Sequence, residues 1–147
     1  MDREAAVLLT AFTGGLIALQ APINSMLGKT IGTFQAAFVS FTIGTIALAG
    51  IASVAKGGLG QVGEVTHVPW HYLIGGLLGA TYVTVVLVTV RTLGAGGVTA
   101  VTISGQLAMS VVVDRFGWLG VEKSPVSALK VFGIALLAAG TFLIVRE

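Results

Sequence analysis

The stretch AGGVTAVTISGQLAMSVVVDRFG, Ala95–Gly117, decides how the rest of the chain is read. It carries no charge until Asp114 and Arg115. A helix rises about 1.5 Å per residue, so roughly twenty apolar residues cover the ~30 Å hydrocarbon core of a bilayer. The run therefore predicts a transmembrane helix over about 95–115. One amide, Gln106, sits near its midpoint. Small residues recur at every fourth position, Gly96, Ala100, Ser104 and Ala108, and give a face that another helix can approach closely.

Composition agrees with this reading. Of 147 residues, 55% are hydrophobic and only 10% are charged, where soluble domains carry about 25% charge. The chain lacks the material for a solvated exterior, and an integral membrane protein is expected over a very apolar soluble one. Its 21 glycines suit close-packed membrane helices. There is no cysteine, so disulfide and thiol chemistry are excluded. The eight basic residues are scattered, which argues against nucleic-acid binding. The first apolar run is too long for a cleavable signal peptide and shows no clear cleavage site.

Four further runs read as spans: about 5–27, 33–55, 70–90 and 126–145. In the first, Gly14 and Gly15 permit close helix approach. Pro22 removes a backbone donor and predicts a kink that frees the carbonyl of Ala18. Gly28, Lys29 and Gly32 read as a turn. The second run's hydroxyls, Ser40, Thr42, Thr45 and Ser53, can each bond to their own helix backbone. Residues 56–69 form the longest polar link, with glycines that oppose an α-helix through its first half. Trp70 and Tyr72 stand where an interfacial aromatic belt is expected, and Gly75 and Gly79 have GxxxG spacing. Thr92–Gly94 reads as a tight link into the fourth span, and Trp118–Pro125 as a loop.

The expected fold is therefore an all-α integral membrane protein, a bundle of five transmembrane helices forming one domain over 1–147. An odd number of spans puts the termini on opposite sides. The side holding the N-terminus receives Arg3, Lys56, Arg115, Lys123 and Lys130, and the other receives Lys29, Arg91 and Arg146. Five against three weakly favours the N-terminus inside.

No enzyme constellation, phosphate-binding loop or cofactor fingerprint is present, and neither a metal nor a cofactor is expected. His67 and His71 are four apart, but Pro69 between them argues against a shared helical face. The residues of interest are uncharged amides at depth, which must find hydrogen-bond partners or bear a desolvation penalty. Gln20 and Asn24 lie four apart on one helical face. With the carbonyl freed by Pro22, they suggest a polar pocket. Gln106 is either helix-to-helix glue or a pathway group that receives substrate. Tyr82 offers an aromatic wall, and Ser104 a hydroxyl. Asp114 is either an interfacial ion-pair member, with Arg115, Lys123 or Arg91 as partner, or a gate at the mouth of a pathway. The small-residue face of the fourth span is a candidate dimer seam.

Several pieces carry a family resemblance: GGLIALQAPINSMLG at 14–28, SFTIGT at 40–45, IGGLLGATYV at 74–83, ISGQLAMSVVVDRFGWLG at 103–120 and KVFGIALLAAGTFLI at 130–144. They resemble the YdcZ-like family of the drug/metabolite transporter superfamily, over essentially the whole chain. That resemblance implies a five-helix exporter in the bacterial inner membrane, working singly or as a pair of paralogues. A looser likeness links the chain to the small multidrug resistance transporters, which act as antiparallel dimers. Aligning their Gly-Gly pair with Gly14–Gly15 puts Gln20 where their first helix carries a proton-binding glutamate. Glutamine does not titrate, so the resemblance implies hydrogen bonding to a neutral or zwitterionic solute in place of proton-for-cation exchange.

The expected function is export of a small organic metabolite or drug by alternating access across a dimer. That dimer is a homodimer, with an antiparallel arrangement among its forms, or a heterodimer with a paralogue. The alternatives are a channel or facilitator, and a non-transporting subunit of a partner complex.

Overall fold

The computed structural model describes residues 2–55 and 58–146. Lys56 and Gly57, part of the predicted polar link, lie outside the described residues, as does Glu147. The described residues are all-α, with helices α1 (Arg3–Ile31), α2 (Thr33–Val54), α3 (Ile74–Phe116) and α4 (Ala128–Arg146). Among them, four helices are long and apolar enough to cross a membrane, and apolar side chains such as Leu8, Phe12, Phe34, Phe38 and Leu129 lie exposed along them. Lipid is the solvent that such a surface suits.

The chain divides into two compact units, Met1–Arg91 and Thr92–Glu147. In the first, Asp2 caps α1 by accepting a hydrogen bond from the Ala5 amide at 2.8 Å. The helix then runs through Pro22 and on to Ile31. Gly28 and Lys29, expected in a turn, are therefore helical. The turn is one residue, Gly32, at φ 98° and ψ 151°. Only glycine adopts that backbone readily, and the Gln35 side chain folds over it so closely that a Cβ would collide. So short a link presses the end of α1 onto the start of α2. Asn24, Ser25 and Gly28 are buried there, against Ala36 and Ala37. The first part of α3 closes this core with Val83 and Leu87, and Leu27 and Tyr82 pack at its edge. At Gly14 and Gly15, far from the hinge, a Cβ would meet nothing within 4 Å among the described residues of this unit, so the expected close approach is not made there. Of the GxxxG pair, only Gly79 meets a neighbour, the ring of Phe41.

Residues 60–67 form a 3-10 helix (Gly60–His67), and a second one, Trp70–Leu73, leads into α3. The expected spans 70–90 and 95–115 thus fall in one helical stretch of 43 residues, interrupted at Gly94 by φ 68° and ψ 170°. The break lies where a tight link was expected.

In the second unit, α3 ends at Gly117, whose left-handed backbone (φ 66°, ψ 37°) returns its amide to the Val113 carbonyl at 2.9 Å. A short 3-10 turn, Trp118–Gly120, and an extended link follow, and α4 begins at Ala128.

Candidate functional site

The first unit gathers three of the expected residues. Asn24 on α1 is 6% exposed, and its Nδ2 donates to Ser40 Oγ on α2 at 3.0 Å. Gln20, one turn earlier, is exposed and lines a shallow cavity of about 190 Å³ with Ser40, Phe41, Gly44, Thr45 and Leu48. Ser40 therefore links the two amides. Thr42, Thr45 and Ser53 donate to carbonyls four residues back at 2.7–2.9 Å, as expected. Ser40 instead accepts across the helix contact, a role the sequence reading missed. Tyr82 is half-buried against the Ala36–Leu87 cluster. At the edge of this unit, Arg91 Nη2 donates to Thr33 Oγ1 at a long 3.4 Å and lies over Gly28.

The second unit separates two residues that the sequence reading grouped. Ser104 faces α4: its Oγ is 2.6 Å from Thr141 Oγ1, and both hydroxyls reach the Ala100 carbonyl, at 3.0 and 3.2 Å. Ala100 is buried, so Ala100 and Ser104 of the small-residue face serve contact within this unit, and Gly97 beside that face approaches Val145. Gly96 and Ala108 remain exposed. Gln106 is exposed as well, two residues on from Ser104 and about 200° round a helix that turns 100° per residue. It lies on the side of α3 away from α4. Beside Ser104 a cavity of about 380 Å³ opens between Val101, Ala138, Phe142 and Arg146, whose guanidinium carbon stands 4.9 Å from the Phe142 ring centre.

Asp114, at the end of α3, pairs with Lys130 on α4, Oδ2 to Nζ 3.7 Å. Its sequence neighbours Arg115 and Lys123 do not hold it. Lys130 Nζ also donates to Ser124 Oγ at 3.0 Å, and the Ser124 amide donates to the Asp114 carbonyl at 3.0 Å. The side chains of the pair are 35% and 41% exposed, so it is a half-exposed pair of modest strength. His71 packs edge-on between Trp70 and Tyr72, and the described residues hold no group of three or more His, Cys, Asp or Glu suited to a metal.

The arrangement is that of membrane helices with a few uncharged polar groups. A family model described as "Putative inner membrane exporter, YdcZ" matches residues 5–143. The chain belongs to the YdcZ family. It is accordingly a multi-pass inner-membrane protein of the transporter class. No match was found among curated proteins or among solved structures. The family match covers both Gln20 and Gln106.

Proposed function

We propose that the chain, one transmembrane domain over 1–147, crosses the membrane five times. We further propose that it exports a small organic solute by alternating access across a dimer. At about 1.5 Å per residue, the 43 residues of α3 would extend some 65 Å, more than twice the hydrocarbon thickness. Two passes, joined at the glycine-only backbone of Gly94 beside Arg91, accommodate that length. The second pass is then centred on Gln106, eleven residues after Ala95 and ten before Phe116.

The observation that carries the transport reading is the exposure of Gln20 and Gln106 on apolar helices. An amide facing hydrocarbon alone leaves its donors and acceptors unmet at a cost of roughly 2–7 kcal/mol. Water, solute or a second subunit relieves that cost. In this reading Gln20 takes hydrogen bonds from the solute in the first unit, with Asn24 and Tyr82 in the walls near it; in the second unit Gln106 does so, with Asp114 at a mouth and Ser104 lining a separate cavity against α4. The subunits form a homodimer, antiparallel in line with the nearly even distribution of basic residues, or pair with a paralogue. Amides without a titrating carboxylate favour a neutral or zwitterionic solute over a lipophilic cation.

The test is flux in proteoliposomes, measured with a panel of radiolabelled neutral, zwitterionic and cationic metabolites. Gln20→Leu/Gln106→Leu protein should lose transport of whichever solute the native protein moves, while remaining monodisperse in detergent. Unchanged flux in the double variant would refute the site assignment.

A further inference from the structure

Gln106 does not stand alone on its face of α3. Thr102, Gln106, Ser110 and Asp114 follow at intervals of four residues. Each step of four advances about 40° round the helix, so the row is a shallow spiral. It starts opposite the α4 contact made by Ser104. Three steps later it has turned about 120°, far enough for Asp114 to reach Lys130 on α4. Along the axis the row covers roughly 18 Å, over half the hydrocarbon thickness. Gln106 and Ser110 are exposed, while Thr102 and Asp114 are half-buried.

Hydroxyls alone would not argue for water here, because a serine can satisfy itself on its own helix. Ser110 does so, donating to the Leu107 carbonyl at 2.9 Å. Its lone pairs still offer acceptor capacity to a passing donor. Gln106 differs, since its amide brings two donors and an acceptor that no hydrogen bond among the described residues engages. At the surface end, Asp114 and Lys130 place opposite charges 3.7 Å apart, with Lys130 also held by Ser124.

We propose that Thr102, Gln106, Ser110 and Asp114 form one water-accessible track, from the middle of the membrane to its surface, for neutral or zwitterionic hydrogen-bonding solutes. The Asp114–Lys130 pair closes its mouth. This rests on the transport reading above and adds to it the route, the residues Thr102 and Ser110, and the gate partner Lys130. An ion pair suits the gate because a zwitterion can exchange with it charge for charge, whereas an apolar plug offers no such exchange.

The native chain has no cysteine, so single cysteines report without background. Thr102→Cys, Gln106→Cys and Ser110→Cys lie on the track. Ala108→Cys and Val112→Cys lie at comparable depths on exposed positions off it. Each variant is reconstituted and treated with a membrane-impermeant, positively charged methanethiosulfonate. Labelling is scored against the same protein after denaturation in detergent. Track positions should react at least tenfold faster than the two off-track positions. Equal rates on and off the track, whether all slow or all fast, would overturn the proposal.

Adding Lys130→Gln should raise the rate at Ser110→Cys severalfold and leave Val112→Cys unchanged. No change at Ser110→Cys would overturn the gate. The two readings fail separately. A dry track in a protein whose flux still depends on Gln20 and Gln106 removes the track alone. A wet track with normal flux in Gln20→Leu/Gln106→Leu protein removes the amide assignment alone.

Discussion

The contact between Asn24 and Ser40 can be tested by a double-mutant cycle, with Asn24→Ala, Ser40→Ala and the pair together. The bond is a neutral amide-to-hydroxyl contact of 3.0 Å, and Asn24 is almost wholly buried. In water-soluble proteins such a bond contributes about 1 kcal/mol net. Between membrane helices the measured coupling averages about 0.6 kcal/mol and reaches about 1.7 at most. The lower figure applies here for a structural reason. Once Asn24 is removed, the Ser40 hydroxyl can swing to the carbonyl four residues back, as Thr42, Thr45 and Ser53 do in the same helix. The lost bond is thereby partly replaced. The expected coupling is about 0.6 kcal/mol, with each single variant losing somewhere in the usual range of about 0.5–3 kcal/mol. The assay is unfolding in mixed micelles by titration with a denaturing detergent, followed by far-ultraviolet circular dichroism. Coupling indistinguishable from zero would mean that the contact does not join α1 to α2. Coupling above about 2 kcal/mol would mean that no rearrangement of the Ser40 hydroxyl offsets the lost bond, and the reasoning would be wrong.

Three other outcomes follow from particular contacts. Gly94→Ala puts a side chain on a backbone at φ 68° and ψ 170° and should cost about 1–3 kcal/mol in the same assay; no loss would mean that the helix is not broken there. Ala100→Leu fills a buried contact between α3 and α4 and should cost about 1–3 kcal/mol by overpacking. A neutral result would return the small-residue face to the dimer. Lys130→Gln removes a half-exposed pair and should change stability by less than about 1 kcal/mol, so a larger loss would show a structural role beyond a gate.

Much of this architecture is legible in the residues. Uncharged runs of membrane length mark the four long apolar helices, and the breaks fall on glycines because Gly32 and Gly94 hold backbones that other residues resist. The helix continues past Pro22, as the expected span does, since neighbouring turns carry it through one missing donor. Partner choice was harder to read. Asp114 looked closest to Arg115 and Lys123 in sequence, but Gly117 and the extended link bring Lys130 back over it instead. Ser40 was counted as self-satisfied because its local pattern matches that of Thr42 and Thr45, and only the one-residue hairpin at Gly32 sets Asn24 against it. The separation of Ser104 from Gln106 was readable in principle, because two residues make about 200° of helix.

The claim on which transport, track and dimer all depend is that α3 crosses the membrane twice, which sets the two ends of the chain on opposite sides. A chain carrying both Asp2→Cys and Arg146→Cys, in sealed vesicles, measures this directly by mass after treatment with an impermeant thiol reagent. Five crossings predict that each molecule takes one label, whichever way it is inserted. Molecules carrying two labels or none, with the single-label species missing, would contradict it.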